Sequence, residues 1–279
     1  HGDYLSFLAE KNKVNLEFEA AVAGGIPIVR TIKEGLATNK ITKVYGILNG
    51  TCNYILSQME KTKDSFKNVL KNAQKLGYAE PGNPKLDLNG YDALAKVKIL
   101  SALAFNCKIS KTQSLMEGIE KIEATDFDVV EKLNLRIKLL GITEIINNKI
   151  FERVHPCLVS RDSYIGNVTD VMNAVILEGK PVGESVMQGE GAGPGPTTSA
   201  LISLIICCAV NNICNFFIYS NYFFWFRGVR FFTFYNGIRP RRYNFIKKIF
   251  RYYFLWNDNS FNSNIFEWNS KRTRGYEKL

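Results

Sequence analysis

One lysine and three carboxylates stand close together in residues 77–100, GYAEPGNPKLDLNGYDALAKVKIL. Asp92 and Lys96 are four residues apart in a helical pattern, so they share one helix face. Glu80 and Asp87 lie just before that helix, in a loop rich in Pro, Gly and Asn. A partly desolvated amine beside carboxylates can exchange protons near neutral pH, as a general acid or base must. A solvated ion pair behind a hydrated acidic loop is the second interpretation of the same residues.

The carboxylates of this stretch outnumber the nearby cations, because Lys85 is the only basic residue inside the loop itself. Like charges that are brought together repel each other, so a folded site of this kind needs a positively charged ligand. A substrate that carries an ammonium group meets this requirement. The residues therefore predict a polar site for a small amino compound, with Lys96 as the group that transfers a proton.

A second candidate site lies in residues 18–28, FEAAVAGGIPI. Alternating apolar residues over 14–22 predict a strand that places Glu19 near its end, ahead of a glycine-rich turn. Such a turn frees several backbone carbonyls, and one carboxylate with several carbonyls suits a hard cation such as sodium. An ordinary strand-to-helix turn would contain the same residues, so both interpretations stay open on this pattern alone.

The formal net charge of +10 belongs almost entirely to the end of the chain. Residues 1–206 hold 24 Lys and Arg against 23 Asp and Glu, whereas residues 207–279 hold 12 against 3. All three tryptophans also lie in the second part, among aromatic, Asn-rich and Arg-rich runs. This break in composition predicts that residues 207–279 form an atypical tail and not a packed domain.

The tail leaves two other classes of function open. Residues 191–226 carry no charge and are followed by Arg227 and Arg230, a pattern compatible with a membrane anchor. Four asparagines count against an anchor because their amides would lie in hydrocarbon: Asn211, Asn212, Asn215 and Asn221. Interleaved aromatic and arginine residues are compatible with nucleic-acid binding, although no recognisable module is present. We predict neither a membrane nor a nucleic-acid partner.

The six cysteines form no CxxC pair and no zinc-finger spacing with histidine, so we expect a reducing, cytoplasmic setting. The chain opens on His1 without a basic-then-apolar signal, which predicts a cut start and not a targeting segment. His155, the one internal histidine, is predicted to be structural.

Hydrophobic spacing predicts an alternation of helices and strands without an internal repeat. Helices are expected at 3–12, from 28, at 51–59 with Thr51 as the cap, at 65–76 and at 91–105. Strands are expected at 14–22, 41–50, 135–146, 150–160 and from 173. A glycine-rich loop from Gly189 then opens a final helix, and no dinucleotide fingerprint, GxGxxG, occurs in the sequence. The pattern predicts an α+β domain with a mixed sheet, joined to the end of an α/β dinucleotide-binding domain.

Taken together, the chain resembles the homoserine dehydrogenase family over about residues 1–206. The matching stretches are FEAAVAGGIPIVRTIKEGLATN, VYGILNGTCNYILSQME, LGYAEPGNPKLDLNGYDALAKVKILSALAF and GEGAGPGPTTSA. The resemblance implies an oxidoreductase that interconverts homoserine and aspartate 4-semialdehyde with NADP or NAD, on the route to threonine and methionine. It also implies a homodimer.

The same resemblance implies a role for individual residues. Lys96 matches the catalytic lysine of the family. The expected substrate-binding residues are Glu80, Asp92, Asp87, Tyr78 and Thr51. The expected cofactor contacts are Gly191 and Gly193, and the expected sodium or other monovalent-cation site is formed by Glu19, Val22, Gly24 and Ile26.

The resemblance also suggests how the chain is organised. Residues 1–26 correspond to the end of the nucleotide-binding domain, 27–188 to the substrate-binding and dimerisation domain, and 189–206 to a loop and helix that return to the cofactor. The family's glycine fingerprint is expected before His1, so we expect the chain by itself not to turn over homoserine. The spacing from Glu80 to Asp87 is one residue longer than in the family pattern.

Overall fold

A computed structural model describes residues 2–14, 16–82 and 84–219. The chain divides by its contacts into residues 1–204 and residues 205–279. The α-helices of the described residues are α1 Gly2–Asn12, α2 Ile28–Arg30, α3 Gly50–Thr62, α4 Phe66–Lys75, α5 Lys85–Leu88, α6 Tyr91–Ala104, α7 Ala124–Lys132 and α8 Pro194–Tyr219. A π-helical segment, Thr31–Gly35, follows α2. The predicted tail lies outside the described residues from position 220 onward.

A six-stranded sheet forms the centre of the first unit, in the order β2-β4-β3-β1-β5-β6. Its strands are β1 Lys40–Ile47, β2 Leu115–Met116, β3 Leu135–Ile146, β4 Lys149–Ser160, β5 Met172–Lys180 and β6 Gly183–Glu190. The pairing of β2 with β4 is parallel and the other four pairings are antiparallel. The predicted α+β class with a mixed sheet is therefore confirmed.

Helices α3 and α6 pack on the central strands, and the main hydrophobic core lies between these layers. Three residues set where the helices begin and end. Ser65 caps α4 by accepting a hydrogen bond from the Asn68 N–H. Gly77 follows α4 with a φ of 77°, the left-handed conformation that commonly ends a helix. Gly90 has a φ of 85° just before α6, so a glycine conformation fixes the direction of that helix.

Three local predictions are wrong. Residues 16–19 are not a strand but irregular backbone followed by turns, because no strand of the described residues pairs with them. The cap of α3 is Asn49 and not Thr51, which lies inside the helix. Gly189 and Glu190 end strand β6 instead of opening a loop. Sequence patterning missed β6 because most of its residues are polar and partly exposed at the sheet edge.

A second, smaller apolar cluster contains only strand and loop residues among those described. Its buried members are Ile47, Leu140, Ile142, Ile165, Val168, Ala174 and Ile176. Val186 pairs with Ile176 and is 38% exposed, and Phe151 pairs with Glu144 and is 44% exposed. Ion pairs beside this cluster, such as Lys43 on β1 with Glu178 on β5 at 3.0 Å, give this face of the sheet an apolar centre and a charged rim.

Among the helices that the structure describes, none combines the length and the apolar character needed to cross a membrane.

Candidate active site

Lys96 lies on α6, one turn after Asp92, and points to the end of strand β1. Its Nζ donates hydrogen bonds to the Leu48 carbonyl at 2.9 Å and to Asp92 Oδ2 at 2.7 Å. The side chains of Lys96 and Asp92 are 21% and 33% exposed, so the pair is half-buried. A lysine nitrogen has three directions for hydrogen bonds, and these contacts use two of them. The remaining direction is available to a ligand.

Asn49 connects three parts of this site, although it was not among the residues predicted for the site. It is buried, and its Oδ1 accepts a hydrogen bond from the Cys52 N–H as the cap of α3. Its Nδ2 donates to Asp87 Oδ1 at 2.8 Å and to Asp92 Oδ2 at 2.9 Å. One amide therefore fixes both carboxylates, and Asp92 in turn positions the amine of Lys96. Asparagine's preference for helix caps was the sequence signal that could have found it.

The carboxylates of the site repel one another, as the sequence predicts for an acidic cluster. Burial raises the pKa of Asp87, the negative charges of Asp92 and Glu80 raise it further, and the Asn49 hydrogen bond and Lys96 oppose this rise. Glu80 is exposed, and its side chain forms no hydrogen bond with the described residues. The site therefore holds excess negative charge beside one amine, which suits a ligand with an ammonium group.

Thr51 and Tyr78 form the wall of the same site. The Thr51 hydroxyl donates to the Tyr78 carbonyl at 2.6 Å, and the Tyr78 ring lies 4.8 Å from that of Tyr54. The N–H groups of Gly50 and Thr51 form no hydrogen bond within the described part of the chain. Free N–H groups at the start of a helix attract anions such as a carboxylate. The site thus has carboxylates that suit the ammonium group of a zwitterion and free N–H groups that suit its carboxylate.

The buried carboxylate of Glu19 forms a second polar centre. It accepts hydrogen bonds from the Val29 N–H at 2.7 Å and the Arg30 N–H at 3.1 Å, at the start of α2. Burial raises the pKa of Glu19, and these hydrogen bonds partly oppose the rise. The carbonyls of Val22 and Gly24 form no hydrogen bond to a described residue, whereas the Ile26 carbonyl accepts one from Ile28. The arrangement leaves oxygens that a cation could use.

The glycine-rich loop lies directly against this turn. A Cβ on Gly24 would come within 2.6 Å of the Gly191 carbonyl, and the Gly25 N–H donates to the Glu190 carbonyl at 2.9 Å. Gly193 has a φ of 118°, which requires glycine, and it is exposed. An exposed glycine backbone permits close approach of a flat ring, so Gly193, with the half-buried Gly191 beside it, offers backbone that a nucleotide cofactor could contact.

His155 does not join the site. His155 Nδ1 lies 3.0 Å from the Pro156 carbonyl and 3.3 Å from Cys157 Sγ, within its own strand. Three or more His, Cys, Asp or Glu side chains suited to a metal ion do not cluster anywhere in the described part of the chain.

The family model for homoserine dehydrogenase matches residues 27–206. The homoserine dehydrogenase of Neisseria gonorrhoeae is 47% identical over 206 residues, which are 74% of this chain and 47% of that protein. The chain thus spans about half the length of the curated relatives it matches.

Solved structures give the same result. A homoserine dehydrogenase from Thiobacillus denitrificans has a TM-score of 0.72 and 43% identity, with 74% of this chain and 48% of that chain covered. A hyperthermophilic archaeal homoserine dehydrogenase mutant in complex with NADPH has a TM-score of 0.63 and 26% identity, covering 75% of this chain and 60% of that chain. The chain therefore belongs to the homoserine dehydrogenase family.

Proposed function

We propose that residues 27–188 form the substrate-binding and catalytic domain of an enzyme that interconverts homoserine and aspartate 4-semialdehyde. The observation that carries this proposal is the network in which Asn49 holds Asp87 and Asp92 beside the amine of Lys96. Residues 1–26 and 189–206 are proposed to belong to the cofactor side. The thiols of Cys52, Cys107 and Cys157 form no disulfide, which supports a reducing, cytoplasmic setting.

Homoserine fits the charges of the site at both ends. Its ammonium group would be held by the carboxylates of Glu80, Asp87 and Asp92. Its carboxylate would accept hydrogen bonds from the free N–H groups of Gly50 and Thr51. With both ends held, the side-chain hydroxyl is directed toward Lys96, whose third hydrogen-bonding direction is open.

Lys96 moves the proton of the reaction. In its neutral form the amine would take the proton from the homoserine hydroxyl as the alcohol carbon loses a hydride. NADP or NAD, when bound, supplies the acceptor for that hydride. In the reverse direction Lys96 returns the proton to the aldehyde oxygen.

The remaining proposed residues would bind a cation and the cofactor. Glu19, with the carbonyls of Val22, Gly24 and Ile26, would hold sodium or another monovalent cation. This turn contacts Gly191, so a cation there would stiffen the loop that is proposed to meet the cofactor. Gly193 would offer its exposed backbone to the same ligand.

We also propose that the active protein is a homodimer, with the smaller apolar face of the sheet covered by a second copy. Its apolar centre and charged rim resemble the anatomy of a protein interface. The full chain should sediment with the mass of two chains, and Val186→Asp should shift it to one. Val129→Asp, a similar change at an exposed position on α7, should leave the dimer intact. A single-chain mass for the unchanged protein would contradict the proposal.

Asp87→Asn should weaken homoserine binding to the full chain by about 10- to 100-fold, because a charged partner of the ammonium group is lost. Isothermal titration calorimetry with homoserine measures this change. The folded pKa of Asp87 is raised, so its ionised form opposes folding once the pH rises through that pKa. The substitution should therefore leave the melting temperature unchanged or higher at neutral pH, although it reduces binding.

Asp128→Asn is the matched control for the binding experiment, because this exposed carboxylate pairs with Lys63 away from the site. Its affinity for homoserine should equal that of the unchanged chain. Equal affinity in Asp87→Asn as well would contradict the assignment of Asp87 to the substrate.

A further inference from the structure

Asn173 is a buried polar residue that none of the proposed steps uses. It lies on β5 opposite Gly189 of β6, and it is 1% exposed. Its Oδ1 is buried and has no hydrogen-bond partner among the described residues. A buried amide oxygen without a donor is unfavourable, so native proteins rarely keep one without a purpose.

Two glycines lie close to this amide. A Cβ on Gly191 would lie 2.1 Å from Asn173 Cγ and 2.5 Å from its Oδ1, so only glycine fits against the amide. A Cβ on Gly50 would lie 3.5 Å from the same oxygen. Within the described residues the N–H groups of Gly50 and Gly191 form no hydrogen bond. An acceptor without a donor thus lies close to two glycines whose N–H groups have no acceptor.

We propose that Asn173 is a positioning residue that couples the substrate site to the glycine-rich loop 191–193. Gly50 starts α3, where the carboxylate of homoserine is proposed to bind, and Gly191 begins the loop proposed to meet the cofactor. The inference rests on that proposed function. Among the atoms nearest to each glycine in the described part of the chain, only those of the Asn173 amide are common to both.

The coupling follows from the hydrogen bonds that are missing. When a substrate carboxylate accepts the Gly50 and Thr51 N–H groups, the start of α3 is fixed on one side of Asn173. The Oδ1 atom is then left to accept the Gly191 N–H, which needs only a small shift of the loop because the amide already touches Gly191. Substrate binding would in this way hold the loop in one position before the cofactor is engaged.

Amide hydrogen exchange of the full chain, with and without homoserine, tests this coupling. Saturating homoserine should slow exchange at residues 189–193 by about tenfold in the unchanged chain. In Asn173→Ala the protection should be lost, while calorimetry still detects homoserine binding. Asn173→Asp keeps an acceptor oxygen, so it should keep the protection, and it provides a second variant if the alanine form is unstable.

Thr143→Val is the matched control, because Thr143 is equally buried in the sheet but bonds to Ser101, away from the loop. It should show the same protection as the unchanged chain. Homoserine binding with identical protection in Asn173→Ala would overturn the coupling and leave the proposed function intact. Absence of homoserine binding to the unchanged chain would overturn both.

Discussion

Lys96→Met should lower kcat for homoserine oxidation by about 10²- to 10⁴-fold while the protein stays folded. Methionine keeps a flexible apolar stem on α6 but cannot take the hydroxyl proton. Because this sequence carries no dinucleotide fingerprint, the assay joins the chain to the part of the Neisseria gonorrhoeae enzyme that precedes the matched region. Steady-state NADPH formation gives kcat, and circular dichroism confirms the fold.

Lys98→Met is the matched control in the joined protein. Lys98 lies two residues further along α6, and its Nζ donates to the carbonyls of Ser110 and Thr112 instead of entering the site. Its replacement should leave kcat within about threefold of the unchanged protein, since it touches no reacting group. A near-normal kcat in Lys96→Met would contradict the catalytic role of Lys96 and favour the interpretation of Asp92 and Lys96 as a solvated ion pair on a helix.

Lys138→Met should change stability in a way that depends strongly on pH. Lys138 is 1% exposed on β3, and its Nζ donates to Asn53 Oδ1 and to the Val168 carbonyl, both of them neutral. Burial lowers its pKa from about 10.5 to about 8. Below pH 8 the lysine is charged in both states, so the unfavourable burial of its charge counts fully against folding.

The pH window follows from the sign of this shift. As the pH rises from 8 toward 10.5 the folded lysine is neutral, so the unchanged chain regains stability that it lacks at pH 7. The free energy of unfolding of Lys138→Met relative to the unchanged chain should therefore fall by about 2 kcal/mol between pH 7 and pH 10. Urea unfolding at both pH values measures it. Lys149→Met, at an exposed position on β4, is the control, and a constant difference for Lys138→Met would contradict burial of a charged lysine.

The strongly periodic parts of the fold could be predicted from the sequence. The helices predicted at 65–76 and 91–105 follow from local apolar spacing, and the structure has both as α4 and α6. Strand β6 could not be found in the same way, because an edge strand needs little hydrophobic patterning when its pairing with β5 supplies the order.

The candidate site was only partly visible in the sequence for a similar reason. Asp92 and Lys96 are local neighbours on one helix, so their spacing predicts their contact. Asn49 joins Asp87 and Asp92 across 38 and 43 residues, and no local pattern encodes such a contact. The failed strand at 14–22 shows the converse, since alternation alone could not supply a pairing partner.

Homoserine-dependent formation of NADPH by the joined protein is the most direct test of the proposed function. With the gonococcal cofactor segment in place, the network of Asn49, Asp87, Asp92 and Lys96 should oxidise homoserine, and the rate should disappear when homoserine is omitted. Serine lacks one methylene, so its hydroxyl would not reach Lys96 and it should give no comparable rate. A folded joined protein that binds NADPH and homoserine but forms no product would contradict the assignment of this site as the catalytic centre.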